Sequence, residues 1–159
     1  MNVDHHPRFD SWLTSQSADL DLYGELIALI TALEDLGAEL LVGYDECHPV
    51  VTSPYLYALR RTPPTTTTPY ATNPPVIRML FGLVVPTSNE QTSNDTGDTA
   101  SQDAGIGSSS GETAVMVVGG DKTTLGNLWY PPHIAEAHKR LREYALRTNT
   151  TPLKVRNQR

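Results

Sequence analysis

The sequence has a single cysteine, Cys47, so no internal disulfide can form and no cysteine-built metal site can be assembled. It lacks any apolar run near the roughly 18–20 residues of a membrane-spanning helix, and no signal-peptide pattern opens it. These absences lead to the expectation of a soluble, cytoplasmic protein with no membrane partner. The five histidines are poorly placed for a metal. His5 and His6 lie near the start, His48 precedes a proline in an expected loop, and His133 and His138 stand five apart on one expected helix. No metal and no cofactor is expected.

Apolar residues are nearly missing from one long stretch. Residues 87–112 are mostly Ser, Thr, Gly, Asn, Gln and acid, with only Ala100, Ala104 and Ile106 apolar. Such a stretch buries too little surface to offset its ordering entropy, which predicts a disordered acidic insertion. The rest is sized for one small domain over 1–148, with a Pro/Thr-rich loop at 62–75 and a basic flexible tail at 149–159. Positive charge is just as unevenly spread. Residues 1–86 carry four Lys/Arg against ten Asp/Glu, 87–112 carry five acids and no base, and 113–159 carry eight bases against three acids. Only the last part, at +5, suits a polyanion.

Helix and strand periods divide what is left. Residues 2–6 read as a first strand before Pro7. Phe9, Trp12 and Leu13 take the i, i+3, i+4 spacing of a short helix at 8–15. A longer helix follows, from a cap at Ser17 or Asp19 to Leu36, stopped by Gly37. Its expected buried stripe is Leu22, Leu26, Leu29, Ile30, Leu33 and Leu36. The two segments predict a helical hairpin. Alternation in "SPYLYALRR" at 53–61, and the apolar runs "VIRMLFGLVV" at 76–85 and "TAVMVV" at 113–118, predict three strands. The last two form a hairpin whose connection carries the insertion. Five prolines exclude a helix or central strand at 62–75. A last helix begins after Pro131-Pro132, with Ile134, Ala137, Leu141, Tyr144 and Ala145 on its apolar side. This order predicts an α/β (α+β) fold, with the helical hairpin and the C-terminal helix packed on a mainly antiparallel sheet.

Gly119-Gly120-Asp121-Lys122-Thr123 follows the third strand. A P-loop needs Gly, four residues, then Gly-Lys-Ser/Thr; here Asp121 precedes Lys122 and no glycine stands at the earlier position. Nucleotide binding is therefore disfavoured, and a plain glycine turn with a solvated lysine is the ordinary alternative. Arg60 and Arg78 change the balance, because each interrupts an apolar run on a preceding strand. A lone strand arginine such as Arg78 often just faces solvent. Neighbouring strands lie roughly 5 Å apart, however, so Arg60, Arg78 and Lys122 can share one face as a phosphate site. His133, near Tyr130 and Lys122 in sequence, is an acid–base candidate.

Four stretches, in this order, resemble the RelE superfamily of toxins from type II toxin–antitoxin modules, and within it the HigB-type, phage-derived branch. "HPRFDSWL" is similar to the family's segment ending in a Trp-Leu helix. "SPYLYALRR" resembles its Ser-x-x-x-Leu-x-Glu-Leu-Arg strand, and "VIRMLFGL" its Ile-Arg-x-x-Phe strand. "VMVVGGDKTTLGNLWYPPHIAEAHKRLREY" is similar to its Gly-Asp-Lys…Trp-Tyr…Ile-x-x-Ala closing strand and helix.

The resemblance implies a small RelE-like fold with a curved sheet and an endoribonuclease that cuts messenger RNA on the ribosome and inhibits translation. It also implies restraint by a cognate helix-turn-helix antitoxin. The chemistry is metal-independent attack of a ribose 2′-hydroxyl on the adjacent phosphate. By matching position, Arg60, Arg78, Lys122 and Tyr130 would be catalytic. Arg61, Trp129 and His133 would contact substrate. Ala58 departs from the pattern, standing where the family strand has Glu. A RelE-like module that binds antitoxin or RNA without cutting is the alternative.

Overall fold

A computed structural model of the chain describes residues 1–41, 43–61, 75–88 and 111–155. The Pro/Thr-rich loop expected at 62–75 and the insertion expected at 87–112 lie almost wholly outside the described residues, as do 156–159. In chain order the elements are β1 (Asn2–His5), α1 (Pro7–Ser15), α2 (Leu20–Leu41), β2 (Cys47–Pro49), β3 (Leu56–Arg60), β4 (Ile77–Pro86), β5 (Thr113–Asp121), α3 (Tyr130–Thr148) and β6 (Thr150–Pro152). The fold is α+β, as the periods predicted: three helices with an open, mainly antiparallel sheet of six strands.

Local chemistry sets the helix ends. Pro7 occupies the first turn of α1, and the His6 ring Nδ1 accepts the Arg8 N–H at 3.2 Å. Asp19, one of two expected caps, accepts the Leu22 N–H at 3.1 Å and starts α2. Gly37, at φ 74°, breaks α2 where a stop was expected, but the chain resumes helix to Leu41. Leu22, Leu26, Ile30 and Leu33 are buried, Leu29 is half-buried, and Leu36, beside the break, is exposed. The stripe is thus narrower than the leucine count suggested.

The sheet runs β1-β5-β4-β3-β2, with β1 parallel to β5 and the other neighbours antiparallel. Along one side of β4, β3 covers residues 78–82 and β6 covers 84–86. The expectation of a basic tail from Asn149 is corrected here. Asn149 adopts a left-handed conformation at the end of α3, φ 52°, and turns the chain back onto β4. Beyond β6, the Leu153 N–H donates to the Leu83 carbonyl at 2.8 Å and the Val155 N–H to the Pro54 carbonyl at 2.7 Å. Strand β2 also went unpredicted, being three residues long and ending in proline.

Strand alternation sorts the core into two layers. Tyr57, Leu59, Met79, Phe81 and Met116 pack with α1 and α2. Leu56, Ala58, Leu80, Val84 and Val115 pack with Trp129 and α3 on the other face.

Candidate active site

The face on which each polar side chain lands is decided in β5. Leu80 of β4 pairs with Val118, yet Phe81 pairs with Met116, so Val117 is an extra, bulged residue. The bulge shifts the alternation by one: Val115 and Val117 pack in the α3 layer before it, and Val118 packs there after it. Arg140 of α3 donates from Nη1 to the Val117 carbonyl at 2.7 Å, which satisfies an acceptor that the disrupted ladder leaves available.

Gly119 and Gly120 belong to this strand and not to a turn. A Cβ at Gly119 would overlap the Trp12 ring, whereas one at Gly120 would lie 2.9 Å from Trp129 Nε1. Each glycine leaves room for an indole, on opposite faces of the sheet.

Parity then carries Lys122, two residues past Gly120, to the α3 face. Arg78 pairs with Gly120, Arg60 pairs with Arg78, and His48 pairs with Ala58, two residues before Arg60. Given the strand order β2-β3-β4-β5, the α3 face presents His48, Arg60, Arg78 and Lys122 in that sequence across the sheet.

These four side chains line one pocket of about 470 Å³, joined by Asn127 and Tyr130. Arg78 is only 8% exposed; its Nε donates to the Tyr130 hydroxyl at 3.3 Å and its Nη1 to the Ile77 carbonyl at 2.9 Å. Lys122 Nζ lies 5.2 Å from the centre of the Tyr130 ring. Arg60 donates to the Asp45 carbonyl and reaches within 3.8 Å of the exposed Asp45 carboxylate.

Among the described residues, neither Arg78 nor Lys122 has a carboxylate ion-pair partner. Uncompensated charge taken out of water is costly, and an anion relieves that cost. Burial, then Arg78 and Arg60, pull the Lys122 pKa below its ordinary 10.5. Burial, then Arg60, Arg78 and Lys122, pull the His48 pKa below 6.5. The arrangement can hold a phosphate and offer proton-transfer groups on either side of it.

Of the seven residues expected at the site, Arg60, Arg78, Lys122 and Tyr130 come together. The other three lie elsewhere. Arg61 follows Arg60 and so points to the opposite face, where it pairs with both oxygens of Glu25 on α2 and donates to the Pro75 carbonyl at 3.1 Å. Trp129 is 2% exposed, so it has no free face on which a base can stack. His133 stacks on Trp129 with ring centres 4.0 Å apart, and its Nδ1 donates to the Trp129 carbonyl at 2.5 Å. These two support the wall that carries Tyr130. His48 and Asn127 line the pocket but were not singled out by sequence; the pairing of β2 is the only signal that brings His48 in.

Among the described residues no helix is long and apolar enough to cross a membrane, and no group of three or more His, Cys, Asp or Glu side chains could hold a metal ion. Comparison with known proteins brings no match: no family model, no curated protein and no solved structure matches this chain.

Proposed function

We propose that this chain is a RelE-like toxin of a type II toxin–antitoxin module, a metal-independent endoribonuclease that cuts messenger RNA on the ribosome. One observation carries the reading. Arg78 is a buried cation with no carboxylate partner among the described residues, and it stands in a row between Arg60 and Lys122 in a single pocket. The motif resemblance gives that row its substrate.

In the reaction, the ribose 2′-oxygen bonds to the adjacent phosphorus as the bond to the 5′-oxygen breaks. A 2′,3′-cyclic phosphate and a free 5′-hydroxyl result. Negative charge grows on the non-bridging oxygens, where preplaced cations act most strongly. Arg60 and Arg78 stabilise that charge, and Lys122 orients the phosphate or assists proton transfer. Tyr130, held by Arg78, stacks on a base or moves a proton. Restraint by a helix-turn-helix antitoxin belongs to the same proposal.

A second reading, binding without cutting, is favoured by Ala58. It is fully buried and brings no acid beside Arg60 where the family strand carries Glu. The test is expression without an antitoxin, with message cleavage mapped on ribosomes. Translation should arrest, cleavage should persist in excess chelator, and ends should be cyclic phosphates. Arg60→Ala, Arg78→Ala and Lys122→Ala should each fold yet cut roughly a hundredfold more slowly, the usual scale for one preorganised charge. A folded, ribosome-bound wild type that cuts nothing leaves only the binder. Full activity in all three variants would move the site elsewhere.

A further inference from the structure

We propose that His48 is the catalytic base of this site, the group that accepts the proton of the attacking 2′-hydroxyl. The inference rests on the ribonuclease reading above and adds a residue to it. Its first support is order in space. Displacement at phosphorus runs in line, so the group that takes a proton and the group that gives one belong on opposite sides of the phosphate. Across the α3 face, β2 carries His48 at one end of the row and Lys122 follows β5 at the other, with Arg60 and Arg78 on the two strands between. A phosphate seated on the two arginines has an imidazole on one flank and an ammonium on the other.

The second support is the state of the ring. His48 Nδ1 is buried without a hydrogen-bond partner among the described residues, in a structure whose other buried polar side-chain atoms are satisfied there. Buried polar atoms are normally paired, so the unpaired Nδ1 marks a ring that no described protein group holds through that nitrogen, while the residue itself lines the pocket. The charged groups facing the ring are Arg60 from β3, Arg78 from β4 and Lys122 from the end of β5, with the Tyr130 phenol from α3. Among the described residues, no carboxylate lines the pocket. Burial and these cations keep the imidazole neutral at neutral pH, the form that accepts a proton.

The atoms balance as follows. The 2′-O–H bond breaks and its proton passes to the neutral imidazole while the 2′-oxygen bonds to phosphorus. The bond from phosphorus to the 5′-oxygen breaks, and that oxygen takes a proton from the Lys122 ammonium. Exchange with water then resets both groups.

The experiment uses the full chain on ribosomes programmed with two messages: one all-oxygen, and one carrying a single 5′-bridging sulfur at the cut position. Sulfur leaves without an acid, so it rescues loss of a proton donor but not loss of a base. His48→Gln should fold, as judged by thermal unfolding, and bind ribosomes like the wild type. It should cut both messages a hundredfold or more slowly, a range usual for a general base. Lys122→Ala should regain most of its rate on the sulfur message. The wild-type rate should rise with pH through a step below 6.5, and His48→Gln should lack that step.

A His48→Gln rate within threefold of wild type, or its rescue by sulfur, overturns the base assignment and leaves the ribonuclease standing. A wild type that cuts neither message overturns both.

Discussion

On the face covered by α1 and α2, Arg61 is held by Glu25, Gly119 makes room for Trp12, and the Cys47 thiol is buried until its pKa is pushed up to about 12. On the face covered by α3, the chain neighbours of these residues behave oppositely. Arg60 joins Arg78 and Lys122 around a pocket, Gly120 receives Trp129, and His48 points a half-buried ring toward the cations. Three pairs of adjacent residues are thus split between a neutralised face and a charged one. In a strand that split costs nothing, because alternation does it; its weakness is that one inserted or deleted residue exchanges the two faces.

Removing that parity should have the largest effect. Inserting one alanine between Val118 and Gly119 adds a residue beyond the bulge, so a β5 that keeps its pairing up to Val118 would turn Gly119 toward Trp129, Gly120 toward Trp12 and Lys122 toward α2. The loss should be comparable to the whole stability of a small domain, about 5–15 kcal/mol. Thermal unfolding followed by circular dichroism should show no cooperative transition. A sharp transition within a few degrees of wild type would mean that the strand absorbs the extra residue in a wider bulge and keeps its faces.

Next come the helices of the neutral face. Leu33→Ala empties a fully buried site on α2 and should cost about 2–5 kcal/mol in urea unfolding. Leu29→Ala, at the edge of the stripe, should cost clearly less. Equal costs would show that α2 buries a wider face than its exposure indicates.

The glycines test both faces with one methyl group each. Gly119→Ala should cost about 1–3 kcal/mol or more, because the added carbon overlaps the rigid Trp12 ring. Gly120→Ala meets Trp129 at 2.9 Å and should cost less, since a small shift relieves it. That shift falls on the residue next to Tyr130, so Gly120→Ala should also slow cleavage. Slower cleavage in Gly119→Ala at equal folded fraction would blur the division of labour.

How much of this was legible beforehand follows from what sequence patterns record. Phe9, Leu13, Leu26 and Leu33 repeat at helical spacing, and the runs around Leu56, Leu80 and Val115 are long enough to be strands, so the α+β class could be read directly. Arg60, Arg78 and Lys122 stood out because a cation in an apolar run needs a reason. Parity could not be read, because a bulge at Val117 leaves no mark in a run of apolar residues. Without it Lys122 could not be assigned to a face. β2 and β6 are three residues each and owe their existence to the strands they pair with, so from sequence His48 reads as loop and the 150–152 segment as tail. Trp129 illustrates the opposite error: an aromatic beside a site reads as stacking surface, and only packing shows that Gly120 and His133 already occupy it.

Acid should act on stability with a modest slope. His6, His48 and His138 are all lowered from 6.5, burial being the first cause in each. The folded state therefore binds fewer protons than the unfolded chain just below that value. Their contribution is complete above about pH 6.5 and is lost as pH falls from there through the folded pKa values. Each group adds at most about 1.4 kcal/mol per pH unit. Of the three, only His48 faces the cation row, so Arg78→Ala should flatten its share of the slope, while His6, beside Glu143, should be unaffected. A slope between pH 7 and 5 unchanged by both His48→Gln and Arg78→Ala would show that the row does not press on that ring.

The smallest expected effect separates Arg60 from Arg61. Arg61→Ala removes a pair with Glu25, whose side chain is 46% exposed and screened by solvent, together with a hydrogen bond to the Pro75 carbonyl. The loss should be about 1 kcal/mol of stability, with cleavage within a few-fold of wild type. Arg60→Ala gives up its contact with Asp45 but relieves repulsion among crowded cations, so its stability should move by less than about 0.5 kcal/mol. On the proposed ribonuclease reading, its cleavage rate should nevertheless fall roughly a hundredfold, because the lost charge would act where that transition state is most negative. The two arginines are adjacent in the chain, carry the same charge and differ only in the face they reach. Measuring unfolding and single-turnover cleavage on both variants therefore isolates that face as the variable. A stability loss in Arg60→Ala paired with a rate loss in Arg61→Ala would mean that the working face of the sheet is the one under α2.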